Sequence, residues 1–263
     1  MVSPQVPLFV PATRPERFAK AAASGADTVI LDLEDAVAPE AKGAARGNLV
    51  GALPPCAVIV RINAARTPWH REDLLALHGL GLAAVMLPKA QGPDDLVQIA
   101  EVLGPGVPVI ALIETAAGLA AARKLAQHPM VSQLAFGSVD YSADLGCAHG
   151  REALLAARSE LVLASRLAGL GPPLDGVTTE LTDPGLAGAD ACHARALGMG
   201  GKMCIHPAQI APVRAAFVPS AAELAWARRI LAAGEGAVAI EGEMVDAPVR
   251  RRAAAILAAL RPG

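Results

Sequence analysis

Short runs of apolar residues recur along the chain, and each is followed by polar or charged residues and then by a segment with helical spacing. The eight runs are Pro7–Val10, Thr28–Leu33, Val58–Ile62, Ala84–Leu87, Val107–Ile113, Gln133–Phe136, Leu174–Thr178 and Lys202–Ile205. The helical segments between them are Pro15–Ser24, Pro39–Val50, Trp69–Leu77, Pro93–Leu103, Ala116–Gln127, Arg151–Ala168 and Pro184–Leu197. This alternation is typical of a parallel sheet that is covered by helices.

Eight strand–helix units favour closure into a (β/α)8 TIM barrel over an open, doubly wound sheet. The chain has 263 residues, and such barrels typically need about 250. We therefore predict an α/β barrel over residues 1–218 and a C-terminal helical extension and lid over residues 219–263. In the extension, Ala221–Ala233 and Val249–Leu260 have helical spacing, and Gly234–Val245 between them is predicted to be a flexible arm.

The main alternative fold is an open Rossmann sheet that binds a nucleotide. Its glycine-rich fingerprint should follow the first strand, but that strand leads into residues 11–15, Pro-Ala-Thr-Arg-Pro. The Gly198–Lys202 segment resembles a phosphate loop, yet it precedes a strand, and Met203 stands where Ser or Thr is required. We reject both nucleotide-binding interpretations.

Composition narrows the range of partners and compartments. The formal net charge of -2 gives no reason to expect nucleic acid or an anionic membrane as a partner. The four cysteines include no CxxC pair or Cys/His cluster, which argues against zinc and disulfides and fits reduced thiols in a cytoplasm. The N-terminal residues lack a signal-peptide pattern, and no apolar stretch is long enough for a membrane span. We expect a cytoplasmic protein without a membrane partner.

Acidic and basic residues follow the apolar runs, where a barrel carries its active site. Glu114 follows the fifth run and Asp140 follows the sixth. Because these strands are neighbours in a barrel, the two carboxylates are predicted to bind a divalent metal, either Mg²⁺ or Mn²⁺. The alternative is that both side chains cap the helices that follow them.

Arg61 lies on the otherwise apolar third run and suits the capture of a substrate carboxylate. The alternative is an ion pair with Glu34 or Asp35 that ties neighbouring strands together, and both roles are compatible. Asp32, Glu34 and Asp35 are too many acids to serve as metal ligands together. Some of them are expected to anchor Arg61, Lys89 or metal-bound water.

Arg14 and Lys20, near the first helix, and the six histidines are the remaining candidates for a functional role. Arg14 and Lys20 could hold the phosphates of a large cofactor, although a solvated helix face explains them equally well. His206 is expected to orient a neighbour by hydrogen bonding. The other histidines show no metal-ligand spacing and are predicted to be surface residues, namely His70, His78, His128, His149 and His193.

Eight motifs in order along the chain are together specific. They are Leu8–Pro11 with Arg14-Pro15, Leu31–Val37, Val60–Asn63, Leu87–Lys89, Ile113–Thr115, Gly137–Asp140, Gly201-Lys202 with Ile205–Ile210, and Met244–Pro248. The set resembles the citrate lyase beta-subunit-like family, which includes malyl-CoA and citramalyl-CoA lyases. The resemblance extends from about Leu8 to Pro248, nearly the whole chain.

The resemblance implies a Mg²⁺-dependent carbon–carbon lyase on a (β/α)8 barrel, assembled as a homotrimer or hexamer. It implies that Glu114 and Asp140 bind the metal and that Arg61 grips the keto-acid portion. Arg14 and Lys20 match positions that contact CoA phosphates. Asp246 matches an acid on a C-terminal lid that can reach a neighbouring subunit's active site.

Two departures from the family pattern affect the choice of substrate. Many relatives carry a Glu where this chain has Val139, and the segment Thr178–Glu180 lacks an aromatic residue. The expected reaction cleaves a 3-hydroxyacyl-CoA, such as malyl-, citramalyl- or citryl-CoA, to an acyl-CoA and a 2-keto acid, or forms it from these two compounds. The alternatives are a metal-dependent aldolase acting on free 2-keto acids, a lyase beta subunit acting on an acyl-carrier-protein thioester, and a non-catalytic protein that keeps the barrel.

Overall fold

The computed structural model describes residues 4–232, 238–240 and 243–259. Contacts divide the chain into a unit that ends at Arg214 and a second unit that begins at Ala215. The predicted boundary between residues 218 and 219 stays a prediction.

The first unit is an eight-stranded parallel barrel, as predicted. Its strands are β1 (Pro7–Pro11), β2 (Thr28–Asp32), β3 (Val58–Arg61), β4 (Ala84–Leu87), β5 (Val109–Ile113), β6 (Val131–Phe136), β7 (Leu174–Asp175) and β8 (Gly201–Lys202). Each strand pairs with the next one along the chain. A parallel bridge between Leu8 and Cys204, just after β8, joins the last strand to the first. The (β/α)8 fold is confirmed.

The strands are apolar because helices cover their outer faces and side chains fill the ring inside. Every residue of β2, β4 and β5 is buried. Side chains from most of the strands form one buried cluster inside the ring, which includes Ile30, Ile59, Met86, Ile110 and Leu174. Aliphatic side chains of this kind build a packed core rather than a pore, so the space for ligands lies at the strand ends.

The helices are α1 (Phe18–Ala22), α2 (Lys42–Gly47), α3 (His70–Leu77), α4 (Val97–Leu103), α5 (Ala116–Ala126), α6 (Ser138–Leu145), α7 (Leu155–Leu167), α8 (Pro184–Ala196), α9 (Ile210–Phe217), α10 (Ala221–Ala232) and α11 (Ala247–Ala258). The segments predicted to begin at Pro15, Pro39 and Pro93 start with a 3-10 turn. Proline is pre-organised for a first turn, so the predicted starts were right. The short helices α6 and α9 were not predicted.

β7 and β8 are shorter than the predicted runs, at two residues each. Charged side chains occupy this part of the barrel wall. The Arg158 Nε donates to Asp175 Oδ1 at 2.8 Å, and the Lys202 Nζ lies 3.5 Å from Asp175 Oδ2. All three residues are buried. Buried ion pairs between side chains therefore join β7 to β8 and to α7.

Gly201 makes the closest approach in the wall between β8 and the N-terminal segment. A Cβ at this position would lie 2.7 Å from the Cα of Gln5, and Lys202 N donates to Gln5 O at 2.8 Å. We expect Gly201→Ala to lower the free energy of unfolding by about 1–3 kcal/mol through overpacking. Urea denaturation measures this, with Gly106→Ala as the control because its Cβ would meet nothing within 4 Å. Equal midpoints for both variants would contradict the tight packing.

The second unit contains α10, an antiparallel hairpin and α11. The hairpin pairs β9 (Val238–Ile240) with β10 (Glu243–Val245). A small core of Ala227, Ile230, Val245 and Ala253 holds the unit together. The described parts of the predicted flexible arm are thus strands, which corrects that prediction, while residues 234–237 and 241–242 lie outside the described residues. Among the described residues no helix is long and apolar enough to cross a membrane.

Candidate active site

A cavity of about 440 Å³ opens at the carboxyl ends of the barrel strands. Its lining residues come from β1, β2, β3, β5 and β6 and from segments that follow β2, β5, β6, β7 and β8. They include Phe9, Asp32, Asp35, Arg61, Glu114, Ser138, Val139, Asp140, Val177, Thr179 and Met203. The predicted strand-end residues Arg61, Glu114 and Asp140 therefore share one cavity.

Arg61 is held by acids from the neighbouring strand. Its Nε and Nη2 donate to the two carboxylate oxygens of Asp32 at 2.7 and 2.6 Å, and its Nη1 lies 3.0 Å from Glu34 Oε2. The guanidinium also stacks over the ring of Phe9, 4.9 Å from its centroid. Burial alone would lower the pKa of Arg61, but the Asp32 charge and hydrogen bonds raise it. The predicted ion pairing is confirmed, with Asp32 as the main partner.

Lys89 places its ammonium group among several carboxylates. The Nζ lies 2.6 Å from Glu34 Oε1, 3.2 Å from Asp140 Oδ2 and 3.8 Å from Glu114 Oε1. Burial opposes the charged form, but the hydrogen bond to Glu34 and the nearby acids raise the Lys89 pKa above its usual value. Among the described residues other than glycine, Lys89 alone has a positive φ, of 49°. Backbone strain of this kind is often retained at functional sites.

Glu114 is fixed by the same segment. The Lys89 backbone N–H donates to its Oε1 at 2.7 Å, and the side chain is buried against Gly137, whose lack of a Cβ leaves room for it. Burial, and next the negative charge of Glu34, raise the pKa of Glu114 to about 8. Neither predicted metal ligand caps the following helix, because Thr115 caps α5 and Gly137 precedes α6. That alternative is wrong.

Glu34 is a further buried carboxylate between Arg61 and Lys89. Burial raises its pKa to about 7, although Arg61 and Lys89 pull in the opposite direction. Glu34, Glu114 and Asp140 thus all lie near the same Lys89 ammonium group. The described part of the chain contains no group of three or more Asp, Glu, His or Cys side chains arranged around a metal position. A cation at this cluster would therefore need waters or substrate oxygens to complete its coordination.

The family model for HpcH/HpaI aldolase/citrate lyase matches residues 5–207 of the chain. The chain belongs to this family of carbon–carbon lyases. The matched residues include every side chain of the charged cluster just described.

Known members of the family are similar over nearly the whole chain. A citrate lyase subunit beta-like protein of Deinococcus radiodurans is 41% identical, with 95% of each chain covered. In Cereibacter sphaeroides, an L-malyl-CoA/beta-methylmalyl-CoA lyase is 34% identical over 91% of this chain and 89% of its own. A (3S)-malyl-CoA thioesterase of the same species is 33% identical, covering 91% and 88%.

A solved structure in the family is similar in fold along its full length. The protein CitE of Mycobacterium tuberculosis, in complex with magnesium, acetoacetate and coenzyme A, superposes with a TM-score of 0.88. It is 40% identical, and 98% of each chain is covered. The predicted resemblance to the citrate lyase beta-subunit-like proteins is confirmed.

The residues that the family resemblance assigns to CoA and to the lid lie apart from this charged cluster in the sequence. Arg14 and Lys20 are exposed, and the Arg14 Nε donates to Glu16 Oε1 at 2.6 Å. In the second unit, Asp246 is the N-cap of α11, and its Oδ1 accepts from Val249 N at 3.2 Å. The roles of these three residues stay predictions.

Two histidine predictions have opposite outcomes. His206 orients its own turn as expected, since its Nδ1 accepts from Ala208 N at 3.2 Å in a capping box with Gln209. His70 is 1% exposed, and its Nδ1 lies 2.7 Å from Asn63 O, so its assignment to the surface was wrong. His70 begins α3 on the side that packs against the barrel, which spacing between histidines cannot reveal.

Proposed function

We propose that this chain is a Mg²⁺-dependent lyase that cleaves a 3-hydroxyacyl-CoA, such as malyl-, citramalyl- or citryl-CoA, into an acyl-CoA and a 2-keto acid, or catalyses the reverse condensation. The observation that carries the proposal is the convergence of Glu114, Asp140 and Arg61 at one cavity, with the Lys89 ammonium group beside both acids. The similar CitE protein of M. tuberculosis supports it, because that structure contains magnesium and coenzyme A.

The donor set fits a divalent cation. Glu114 and Asp140 offer hard carboxylate oxygens, which Mg²⁺ prefers and Mn²⁺ also accepts. Burial is the main cause of the raised pKa values of Glu114 and Glu34, and a cation bound beside them would favour their charged forms. We assign Glu114 and Asp140 as the ligands. When bound, the ion supplies Lewis-acid polarisation of the substrate oxygens.

Arg61 is assigned to the substrate carboxylate. A guanidinium carries five N–H donors, and Asp32 accepts from two of them, while Nη1 forms an ion pair with Glu34. Donors that Asp32 does not engage can reach a carboxylate in the cavity. Asp32 and Phe9 hold the guanidinium in place, so that the site is organised before the substrate arrives.

Cleavage begins when the proton of the 3-hydroxyl group passes to a water molecule in the cavity. The carbon–carbon bond then breaks, releasing the 2-keto acid and leaving the enolate of the acyl-CoA. We assign Asp246 as the acid that protonates this enolate, and as the base that removes the proton in the condensation direction. The thioester makes the enolate accessible without a Schiff base, so Lys89 acts through its charge and not as a nucleophile.

The remaining assignments concern CoA and assembly. We assign Arg14 and Lys20 to the CoA phosphates, since both are exposed cations near the end of β1. We also propose a cytoplasmic homotrimer or hexamer in which Asp246 serves the active site of a neighbouring subunit.

A thioester panel assayed with and without Mg²⁺ tests the proposal. Malyl-, citramalyl- and citryl-CoA are compared with free hydroxy-keto acids and with carrier-linked acyl groups, and both keto acid and free thiol are measured. We expect keto acid from at least one CoA thioester, and only with the metal present. Turnover restricted to free acids would favour an aldolase, and turnover restricted to the carrier would favour a lyase beta subunit.

A further inference from the structure

A buried lysine holds the chain segment that carries two acids of the charged cluster. Lys42 is 5% exposed, and its Nζ donates to the carbonyl oxygens of Leu33 and Glu34 at 2.8 Å each and to Asn63 Oδ1 at 2.7 Å. A lysine ammonium group has three N–H donors, so these bonds use all of them. The acceptors are two backbone carbonyls and a side-chain amide, which are all uncharged.

The position of Lys42 is unfavourable for a positive charge. Lysine is almost never fully buried unless it is paired. Burial lowers the pKa of Lys42, while nearby carboxylates, first among them that of Asp32, act in the opposite direction. Lys42 also begins α2, and the N-terminal end of a helix disfavours a cation. The ring of Trp69, with its centroid 5.1 Å from the Nζ, offsets part of this cost. An apolar side chain would avoid the cost but could not hold the carbonyls.

The two carbonyls that Lys42 holds belong to the peptide groups on either side of the Glu34 Cα. With both peptide groups fixed, the direction in which the Glu34 side chain leaves the backbone is fixed as well. The Glu34 carboxylate lies between Arg61 and Lys89, at 3.0 and 2.6 Å from their nitrogens. Asp32, which binds Arg61 through both oxygens, accepts from Glu34 N at 2.9 Å in the same turn.

The third acceptor connects this segment to the next strand. Asn63 follows Arg61 by two residues and is buried. Its Nδ2 donates to Leu33 O at 3.0 Å and to Asp73 Oδ2 at 2.6 Å, and its backbone N–H donates to the same Asp73 oxygen at 2.8 Å. Lys42 thus ties the chain after β2 to the chain after β3.

We propose that Lys42 is a positioning residue of this active site, which keeps the Glu34 carboxylate between Arg61 and Lys89 by fixing the peptide groups on both sides of Glu34. For its effect on turnover, this role rests on the proposed function. Without the Lys42 ammonium group, the Glu34 side chain is free to turn away, and the Arg61 guanidinium loses one of its anchors. The keto-acid portion of the substrate should then bind less tightly and in a less productive orientation, whereas the CoA portion should bind as before.

Lys42→Met tests this role, because it keeps the length of the side chain and removes its three donors. We expect kcat/KM for CoA thioester cleavage to fall by about a hundredfold, the effect of misplacing a reacting group by about 1 Å. In calorimetry with Mg²⁺ present, the Kd for oxaloacetate should rise by about tenfold while the Kd for CoA stays unchanged. The control is Lys124→Met, which removes an exposed ammonium group from α5 and should leave all three values unchanged.

The Kd values separate positioning from a loss of folded protein. Unfolded molecules lower the binding stoichiometry in calorimetry and leave the Kd of the folded molecules unchanged. If Lys42→Met does not fold, Lys42→Arg takes its place in the same measurements. It keeps the buried charge, but the planar donors of a guanidinium do not match the three acceptors, so smaller changes in the same direction are expected.

A crystal structure of the variant gives a direct observation. We expect the Glu34 carboxylate to have moved away from Arg61 and Lys89. An unmoved Glu34, or affinities for oxaloacetate and CoA that fall together, overturns the positioning role of Lys42. A wild type that cleaves no CoA thioester overturns the proposed lyase function instead, since the position of Glu34 does not depend on turnover.

Discussion

Glu114→Gln is expected to reduce carbon–carbon cleavage by about a thousandfold or more. A bound metal contributes several kcal/mol to transition-state stabilisation, and each 1.36 kcal/mol corresponds to about a factor of ten in rate. The amide keeps the size of the side chain and can still accept the Lys89 N–H, but it removes the negative charge that the metal requires. Keto-acid formation across a Mg²⁺ titration measures the change, with the exposed Glu101→Gln as the control.

The same substitution should change the pH dependence of stability. The pKa of Glu114 in the folded protein is raised to about 8 from an unperturbed 4.5. The folded state therefore holds its proton more tightly than the unfolded state, and this contribution is fully present below about pH 4.5. It is lost as the pH rises through about 8.

Thermal melts of the metal-free protein between pH 5 and 9 test whether stability falls as the pH rises. We expect the wild type to lose more stability over this range than Glu114→Gln, and added Mg²⁺ to restore more stability at the alkaline end. Isothermal titration calorimetry should also show Mg²⁺-dependent binding of pyruvate or oxaloacetate by the wild type alone. Full metal dependence in Glu114→Gln would remove Glu114 from the proposed ligand set.

Asp246→Asn is expected to reduce turnover by about a hundredfold to ten-thousandfold while leaving keto-acid binding intact. Loss of a general acid–base group typically has an effect of this size. The choice of Asn matters because Asp246 also caps α11 through its bond from Val249 N. Asn caps helices as well as Asp does, so this variant should keep the melting temperature while it loses the acid.

Asp246→Ala separates the two roles. It removes the acid and the cap together, so we expect the same loss of turnover and an additional loss of about 1 kcal/mol in stability. Steady-state kinetics, calorimetry with the keto acid and thermal melts on both variants provide the comparison. Normal turnover by Asp246→Asn would leave Asp246 with the capping role alone.

Most of the barrel could be predicted from the sequence because its strands are buried on both faces. Continuous apolar runs such as Thr28–Leu33 mark such strands without any knowledge of their partners. The exceptions are β7 and β8, where Asp175 and Lys202 form buried ion pairs. The pairing of Asp175 with both Lys202 and Arg158, which lies on α7, depends on the folded chain and has no local pattern.

The candidate site was predictable to a similar extent. Strand ends converge on one side of a parallel barrel, so the positions of Arg61, Glu114 and Asp140 followed from the fold. The bidentate partner of Arg61 did not follow, because Asp32, Glu34 and Asp35 are equivalent until the register of β2 against β3 is known. The contact of 2.9 Å between Ser138 Oγ and His149 Nε2 did not follow either, because α6 was not predicted and the loop after it carried no motif.

Lys89 combines a left-handed backbone with an ammonium group that contacts acids from three different segments. Unlike a dissolved ion, this counter-charge is covalently tethered and cannot diffuse away. The mouth of the barrel can thus retain its shape with or without a cation at these acids. The same tether keeps a positive charge next to any further cation there, and this repulsion weakens the binding of that cation.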